Sequence, residues 1–185
     1  HQDLQDLRDN NIYSIERVFL NRKLLPLKST DLRFGYFYEG SYWKIYRPFC
    51  DKRNKWLSNV PLSMSWGINN LCKGKSILIC KSLKDYMVCR KVYPYVVGVQ
   101  NESVAAFSDE FVSMLKENSN EIYYGGDSDV PGKEASYVIT KLFGFKHINP
   151  PDILLMEGIK DFADWGRLKG LTSLKDHFVQ KGLLS

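Results

Sequence analysis

The chain has 185 residues, is 44% hydrophobic and 25% charged, and carries a net charge of +5. That length and apolar content suit one domain, or a domain with a small satellite, and exclude a disordered chain. No run of about 18 apolar residues is present for a membrane span, and the first residues lack the basic-then-apolar pattern of a signal peptide, so we expect an intracellular, cytoplasmic protein away from membranes.

Cys50, Cys72, Cys80 and Cys89 form no C-x-x-C pair, and His1, His147 and His177 have no metal-ligand spacing among them or with the cysteines. The cysteines read as small apolar residues in a reducing compartment. Charge is unevenly spread. Residues 16–75 hold 12 Lys and Arg against 4 Asp and Glu, an excess of +8, whereas residues 76–185 hold 13 against 14, or −1. Such asymmetry fits a polyanion gripped by one part and handled by another; a solvated basic surface is the plainer alternative.

Leu4, Leu7, Ile12, Ile15 and Phe19 recur at roughly helical spacing, broken at Asn10 and Asn11, which predicts one or two short helices over 1–20. Residues 23–32 read as a loop around Pro26. Residues 34–38 and 42–46 predict a hairpin turning at Glu39, Gly40 and Ser41. Alternation sets Tyr42, Lys44 and Tyr46 on one face of its second strand, and Trp43, Ile45 and Arg47 on the other. A basic turn (Asp51, Lys52, Arg53, Asn54) leads to Lys55, Trp56, Leu57, Ser58 and Asn59. Cations interleaved with aromatics suit nucleic acid, since phosphates need charge and exposed bases need flat partners. Against this, most of the rings are expected in a core, Trp43 and at least two tyrosines among them.

From Ser76 the period changes, and three strand-plus-helix units follow. Residues 76–80, SILIC, form the continuous apolar run of a strand covered on both faces. Ser82 caps a helix with Asp85 three residues on, and Leu83, Tyr86, Met87 and Arg90 fall at helical spacing. The second strand, 95–99, ends at Gln100, Asn101, Glu102 and Ser103, and its helix, 108–117, turns Phe111, Val112 and Leu115 inward. In the third unit Ile122, Tyr123 and Tyr124 run into two glycines, then Asp127 and Asp129, with Pro131 and Gly132 at the turn. Its helix carries Ala135, Val138, Ile139, Leu142 and Phe143 on one face and stops at Gly144. Strands alternating with helices imply a parallel sheet with right-handed crossovers. Ligands sit at the carboxyl ends of such strands, where Lys81, Glu102, Asp127 and Asp129 all fall. A fourth strand, 146–149, precedes two prolines; Asp161 and Asp164 then flank the start of a short helix, and a helix over 173–180 closes the chain before Gly182.

Residues two apart in an extended segment point the same way, so Asp127 and Asp129 are able to aim oxygens at one point and ligate Mg²⁺ or Mn²⁺. The plainer reading is a strand-to-helix turn with two solvated aspartates. Two look-alikes are excluded. An EF-hand loop from Asp127 would need an oxygen ligand at Pro131 and a Glu at Val138. A P-loop would need a glycine at Asp127 and Ser or Thr at Glu134.

A buried strand, a turn with Lys84 and Asp85, a second strand, then D-x-D-x-x-G at 127–132 and K-D-x-x-D at 160–164 resembles the Toprim domain of bacterial and phage-type primases, topoisomerases and some nucleases. The segment from the hairpin through YRPFCDKRNKWLSN to Ser65, Trp66, Gly67, Ile68 and Leu71 is similar to the basic subdomain ahead of that fold in phage-type primases and primase-helicases. The resemblance covers about residues 12–170 and implies an α/β, Toprim-like fold, with a mostly parallel sheet flanked by helices. A small basic α+β subdomain with a β-hairpin (1–74) would precede the Toprim-like domain (75–170), and a C-terminal helix (171–185) would follow.

For matched positions the resemblance implies roles. Asp127 and Asp129 would hold Mg²⁺ or Mn²⁺ for two-metal phosphoryl chemistry, with Asp85 beside them and Lys160, Asp161 and Asp164 near the metals or nucleotide. Lys44, Arg47, Lys55, Trp56 and Lys84 would contact template or nucleotide. Where the family places a glutamate after the first strand, this chain has Lys81. Two unit charges about 4 Å apart interact by about 4 kcal/mol at an effective dielectric of about 20, so a lysine there opposes a divalent ion. Either the domain is silent, or Lys81 binds substrate phosphates, or Glu102 supplies the lost carboxylate; Glu102 as a plain loop acid is also open. The implied function is a primase core making short RNA primers on single-stranded DNA from nucleoside triphosphates, alongside a replicative helicase. The alternatives are a catalytically impaired nucleic-acid-binding module and, last, a Toprim nuclease.

Overall fold

The computed structural model describes residues 2–26, 28, 30–51 and 53–184; Lys52 of the expected basic turn lies outside them. The chain divides into two compact units, 1–61 and 62–185, so that 62–74 sides with the second and not with the basic segment.

In the first unit, α1 (Gln2–Asp9) stops where Asn11 takes a left-handed conformation, with φ of 54°. Beyond it the chain is extended: β1 (Ile12–Ser14), β2 (Phe19–Leu20) and β3 (Lys23–Leu24). The helical expectation for 1–20 therefore holds only for its first half. Ile12 is buried opposite Tyr36, so tertiary pairing decides a stretch whose spacing alone reads as helix. The expected loop at 23–32 begins instead as a strand, because Asn21 and Arg22, both at positive φ, close a tight hairpin between β2 and β3.

β4 (Phe34–Phe37) and β5 (Trp43–Tyr46) are the expected hairpin, and β6 (Trp56–Ser58) extends it into an antiparallel sheet of order β1-β4-β5-β6. Register sets Phe34 opposite Tyr46 opposite Trp56, and Tyr36 opposite Lys44 opposite Ser58. Those six side chains share one face. On the other, Trp43 packs against Tyr13 and Phe37, with ring centroids 5.9 and 4.9 Å away.

In the second unit, β7 (Ile77–Cys80), α2 (Leu83–Arg90), β8 (Val96–Gly98), α3 (Asp109–Asn118), β9 (Ile122–Gly125), α4 (Val130–Phe143) and β10 (Lys146–His147) alternate as expected. The four strands form a wholly parallel sheet of order β10-β9-β7-β8. Every residue of β7, β8 and β9 is buried, which is why their sequences are continuous apolar runs instead of alternating ones. Trp66 adds an antiparallel bridge to the edge at Gly98, its N–H donating to the Gly98 carbonyl at 2.8 Å. Ser82, Ser108 and Asp129 each accept a backbone N–H at the start of α2, α3 and α4. α5 (Phe162–Gln180) joins the two expected terminal helices across a break at Gly170. No helix among the described residues is long and apolar enough to cross a membrane.

One glycine is set by close approach. A Cβ on Gly132 would lie 2.4 Å from the Asp127 Cβ and 2.7 Å from its carbonyl oxygen, so the first turn of α4 can lie against the loop at 127 only without a side chain there. Gly132→Ala is expected to lower stability by about 1–3 kcal/mol in urea denaturation, and an unchanged midpoint would show that the loop gives way freely.

Candidate functional site

Because β7 is central, with β9 on one side and β8 on the other, the residues just past these strands share one edge of the sheet. Lys81 follows β7, Glu102 lies beyond β8, and Asp127 and Asp129 follow β9. The Lys81 ammonium contacts Asp127 Oδ2 and lies 3.0 Å from Glu102 Oε1, with the lysine side chain only 13% exposed. Burial works against its charge, and the Asp127 hydrogen bond and the charges of Asp127 and Glu102 outweigh it, so its pKa is raised. The lysine is held as a cation.

Lys160 approaches from the segment before α5. Its ammonium is 3.7 Å from Asp127 Oδ2 and 3.9 Å from Asp129 Oδ2, so both aspartates face one positive charge, from a bend beyond β9 and not from an extended segment. The other Asp129 oxygen, Oδ1, accepts the Gly132 N–H at 3.0 Å and caps α4. Asp127 Oδ1 is buried and has no hydrogen-bond partner among the described residues.

The carrying loop is clamped by groups that the sequence reading passed over. Asn149 is buried; its Oδ1 accepts the Gly126 N–H at 2.8 Å and its Nδ2 donates to the Asp127 carbonyl at 2.7 Å. The Ser128 N–H donates to the Lys160 carbonyl at 2.8 Å. An asparagine directly before two prolines was the available signal, since its side chain substitutes for the ladder bonds that prolines cannot donate.

The remaining acids are bonded within the fold. Asp85 is 1% exposed; its Oδ1 accepts the Ala163 N–H at 2.9 Å and its Oδ2 accepts the Ser82 hydroxyl at 2.6 Å, so it ties α2 to the start of α5. Asp161 Oδ1 accepts the Asp164 N–H at 2.7 Å, and Asp161 Oδ2 lies 3.7 Å from the Lys84 ammonium. Asp164 pairs with Arg167 at 3.3 Å. A resident divalent ion needs several oxygens open to one point. Here Asp127 Oδ2 and Glu102 are on an ammonium, Asp129 Oδ1 and Asp161 Oδ1 carry caps, Asp127 Oδ1 is left open, and no group of three His, Cys, Asp or Glu among the described residues is placed to hold a metal ion. The donor set does not fit one.

In the first unit cations and aromatic rings lie together. Tyr46 and Trp56 lie 4.5 Å apart between ring centroids at 30°, with the Lys44 ammonium 5.0 Å from the Trp56 ring and the Lys55 ammonium 5.6 Å from that of Tyr46. Trp56 is 40% exposed. Burial brings the Lys44 ammonium down to about 8. Arg47 is turned inward, 3.3 Å from Asp31, and donates to the Asn54 carbonyl; Phe49, in the following turn, is 83% exposed.

The second unit is a Toprim-type α/β module, and an antiparallel unit rich in cations precedes it. Comparison with solved structures finds the same fold in primase catalytic cores. The chain is similar to a DnaG primase catalytic domain bound to ssDNA (TM-score 0.64, 13% identity, 97% of this chain and 59% of that one). It is as similar to a DNA primase domain from Pseudomonas aeruginosa (0.64, 14%, 97% and 59%). The primase fragment of the bacteriophage T7 primase-helicase protein follows (0.62, 11%, 94% and 68%). The chain thus spans about three fifths of the DnaG-type chains, and the likeness at these identities establishes the fold. No protein-family model matches the sequence, and no curated protein matches it.

Burial, with the charge of Asp161, pushes the Asp85 carboxyl up to about 6. A raised carboxyl contributes stability at low pH that is lost as pH rises from its ordinary value of about 4 through about 6. His177, brought down to about 4 by burial and the charge of Lys181, acts oppositely in that window, so the comparison must be with a variant. Asp85→Asn can keep the Ala163 bond through its Oδ1, and meets the Ser82 hydroxyl oxygen with an N–H donor in place of the accepting oxygen. Its stability relative to wild type, from urea denaturation, is expected to climb by on the order of 1–3 kcal/mol between about pH 4 and about pH 6 and then level off. A pH-independent difference would contradict the shift.

Proposed function

We propose that the chain is a nucleic-acid-binding module of primase-core fold that grips single-stranded polynucleotide through the Lys44–Trp56–Tyr46–Lys55 face and runs no metal-dependent nucleotidyl transfer. The observation that carries this is the pairing of Lys81 with Asp127 and Glu102. A lysine takes up charge on two of the carboxylates that phosphoryl transfer would need for its cations. Binding asks less of the site. Ammonium groups neutralise phosphates, and an exposed indole stacks a base. In this reading 1–61 grips the strand and 62–185 retains the Toprim scaffold. The ssDNA held by one similar DnaG domain supports the choice of ligand.

A second reading is favoured by the convergence of Asp127 and Asp129 on the Lys160 ammonium: a primase proper, using Mg²⁺ or Mn²⁺, single-stranded DNA and nucleoside triphosphates beside a replicative helicase. Primer synthesis separates the two. In Mg²⁺ or Mn²⁺ the first reading predicts no product above background, and product lost in an Asp127→Ala, Asp129→Ala variant would establish the second.

Binding is tested by fluorescence anisotropy of a labelled single-stranded oligonucleotide. Affinity is expected to fall steeply with salt, Trp56→Ala to cost about 1–3 kcal/mol, and Lys55→Gln to lower the salt slope by about one. Because burial brings Lys44 down to about 8, affinity should weaken as pH rises through about 8, and Lys44→Gln should remove that fall. Salt-independent binding, or none, would refute the reading.

A further inference from the structure

We infer that the Lys81 ammonium is the resident cation of the carboxylate edge, standing where a divalent ion would bind, and that removing it opens a site for Mn²⁺ or Mg²⁺. The inference rests on the reading that this edge runs no metal chemistry, but its test reads ion binding alone, so primer synthesis and strand binding do not decide it.

Three features of 62–185 support it. The first is position: Lys81 leaves the central strand and reaches across to carboxylates following both neighbours, Glu102 beyond β8 and Asp127 beyond β9. Acids gathered from adjacent parallel strands around one mostly buried positive charge are the surroundings that a hard cation takes. Second, Asp127 Oδ1 is buried with no hydrogen-bond partner among the described residues, although Asp127 is only 4% exposed. An ammonium satisfies one oxygen of this carboxylate, whereas a divalent ion could be bound by both in bidentate fashion. Third is charge. Lys81 meets Glu102 and Asp127, and Lys160 faces Asp127 and Asp129. Removing Lys81 leaves the edge one unit more negative and so more favourable to a cation. While Lys81 is present, an arriving divalent ion meets a positive charge at contact distance.

The test is Mn²⁺ binding by electron paramagnetic resonance, in the full chain and without nucleic acid. Wild type is expected to show no binding that Asp127→Asn removes. Lys81→Glu and Lys81→Gln are expected to bind Mn²⁺ at least about tenfold more tightly than wild type, and adding Asp127→Asn should abolish the gain. Circular dichroism reports folding; variants that fold only when Mn²⁺ is added satisfy the inference as well. Wild type binding Mn²⁺ through Asp127 overturns it without recourse to any Lys81 variant. So do Lys81 variants that bind no Mn²⁺, whether folded or unfolded in its presence.

Discussion

The contact of Lys81 with Asp127 and Glu102 constrains everything around it, since a lysine this enclosed keeps its charge only if acids meet it. Asp127 lies in a loop that Asn149 and the Lys160 backbone hold in place, and Gly132 lets α4 lie directly against it. The sheet order puts Lys81 between its two partners. The same atoms thus join the sheet's carboxyl edge, close the approach to Asp127 and set what the edge can bind. Chemistry that needs two divalent ions would first have to displace a charge already at home there.

Much of the second unit was legible because its signals are local or strongly periodic. Strands covered on both faces need uninterrupted apolar residues, and 77–80, 96–98 and 122–125 have them. Ser82, Ser108 and Gly144 mark helix ends through backbone bonds or a left-handed turn that few other residues serve as well. The first unit was less legible. Strands of two or three residues, such as β2, β3 and β6, carry too little pattern to separate from loops, and Ile12 and Phe19 fit a helical spacing until pairing with Tyr36 and Leu24 decides otherwise.

The site divides in the same way. The D-x-D spacing of Asp127 and Asp129 and the conflict at Lys81 were visible from the chain alone, but the bend that carries the two aspartates was not. What a sequence does not print is whether a carboxylate is already in use. Asp85 and Asp161 resemble catalytic acids in order and spacing, yet each accepts a backbone N–H at the start of α5. Arg47 reads as a phosphate contact, and its pairing with Asp31 and the Asn54 carbonyl has no mark in the sequence. Asn149, with no charge, organises the loop. Partners across 20 or more residues, as between Asn149 and Gly126 or Asp85 and Ala163, leave no mark at either position.

The most direct measurement is a crystal structure from crystals grown in MnCl₂, with anomalous data at the manganese edge. We predict no manganese peak among Glu102, Asp127 and Asp129, and density for the Lys81 side chain running to Asp127. A manganese peak on Asp127, with Lys81 swung away, would contradict the account.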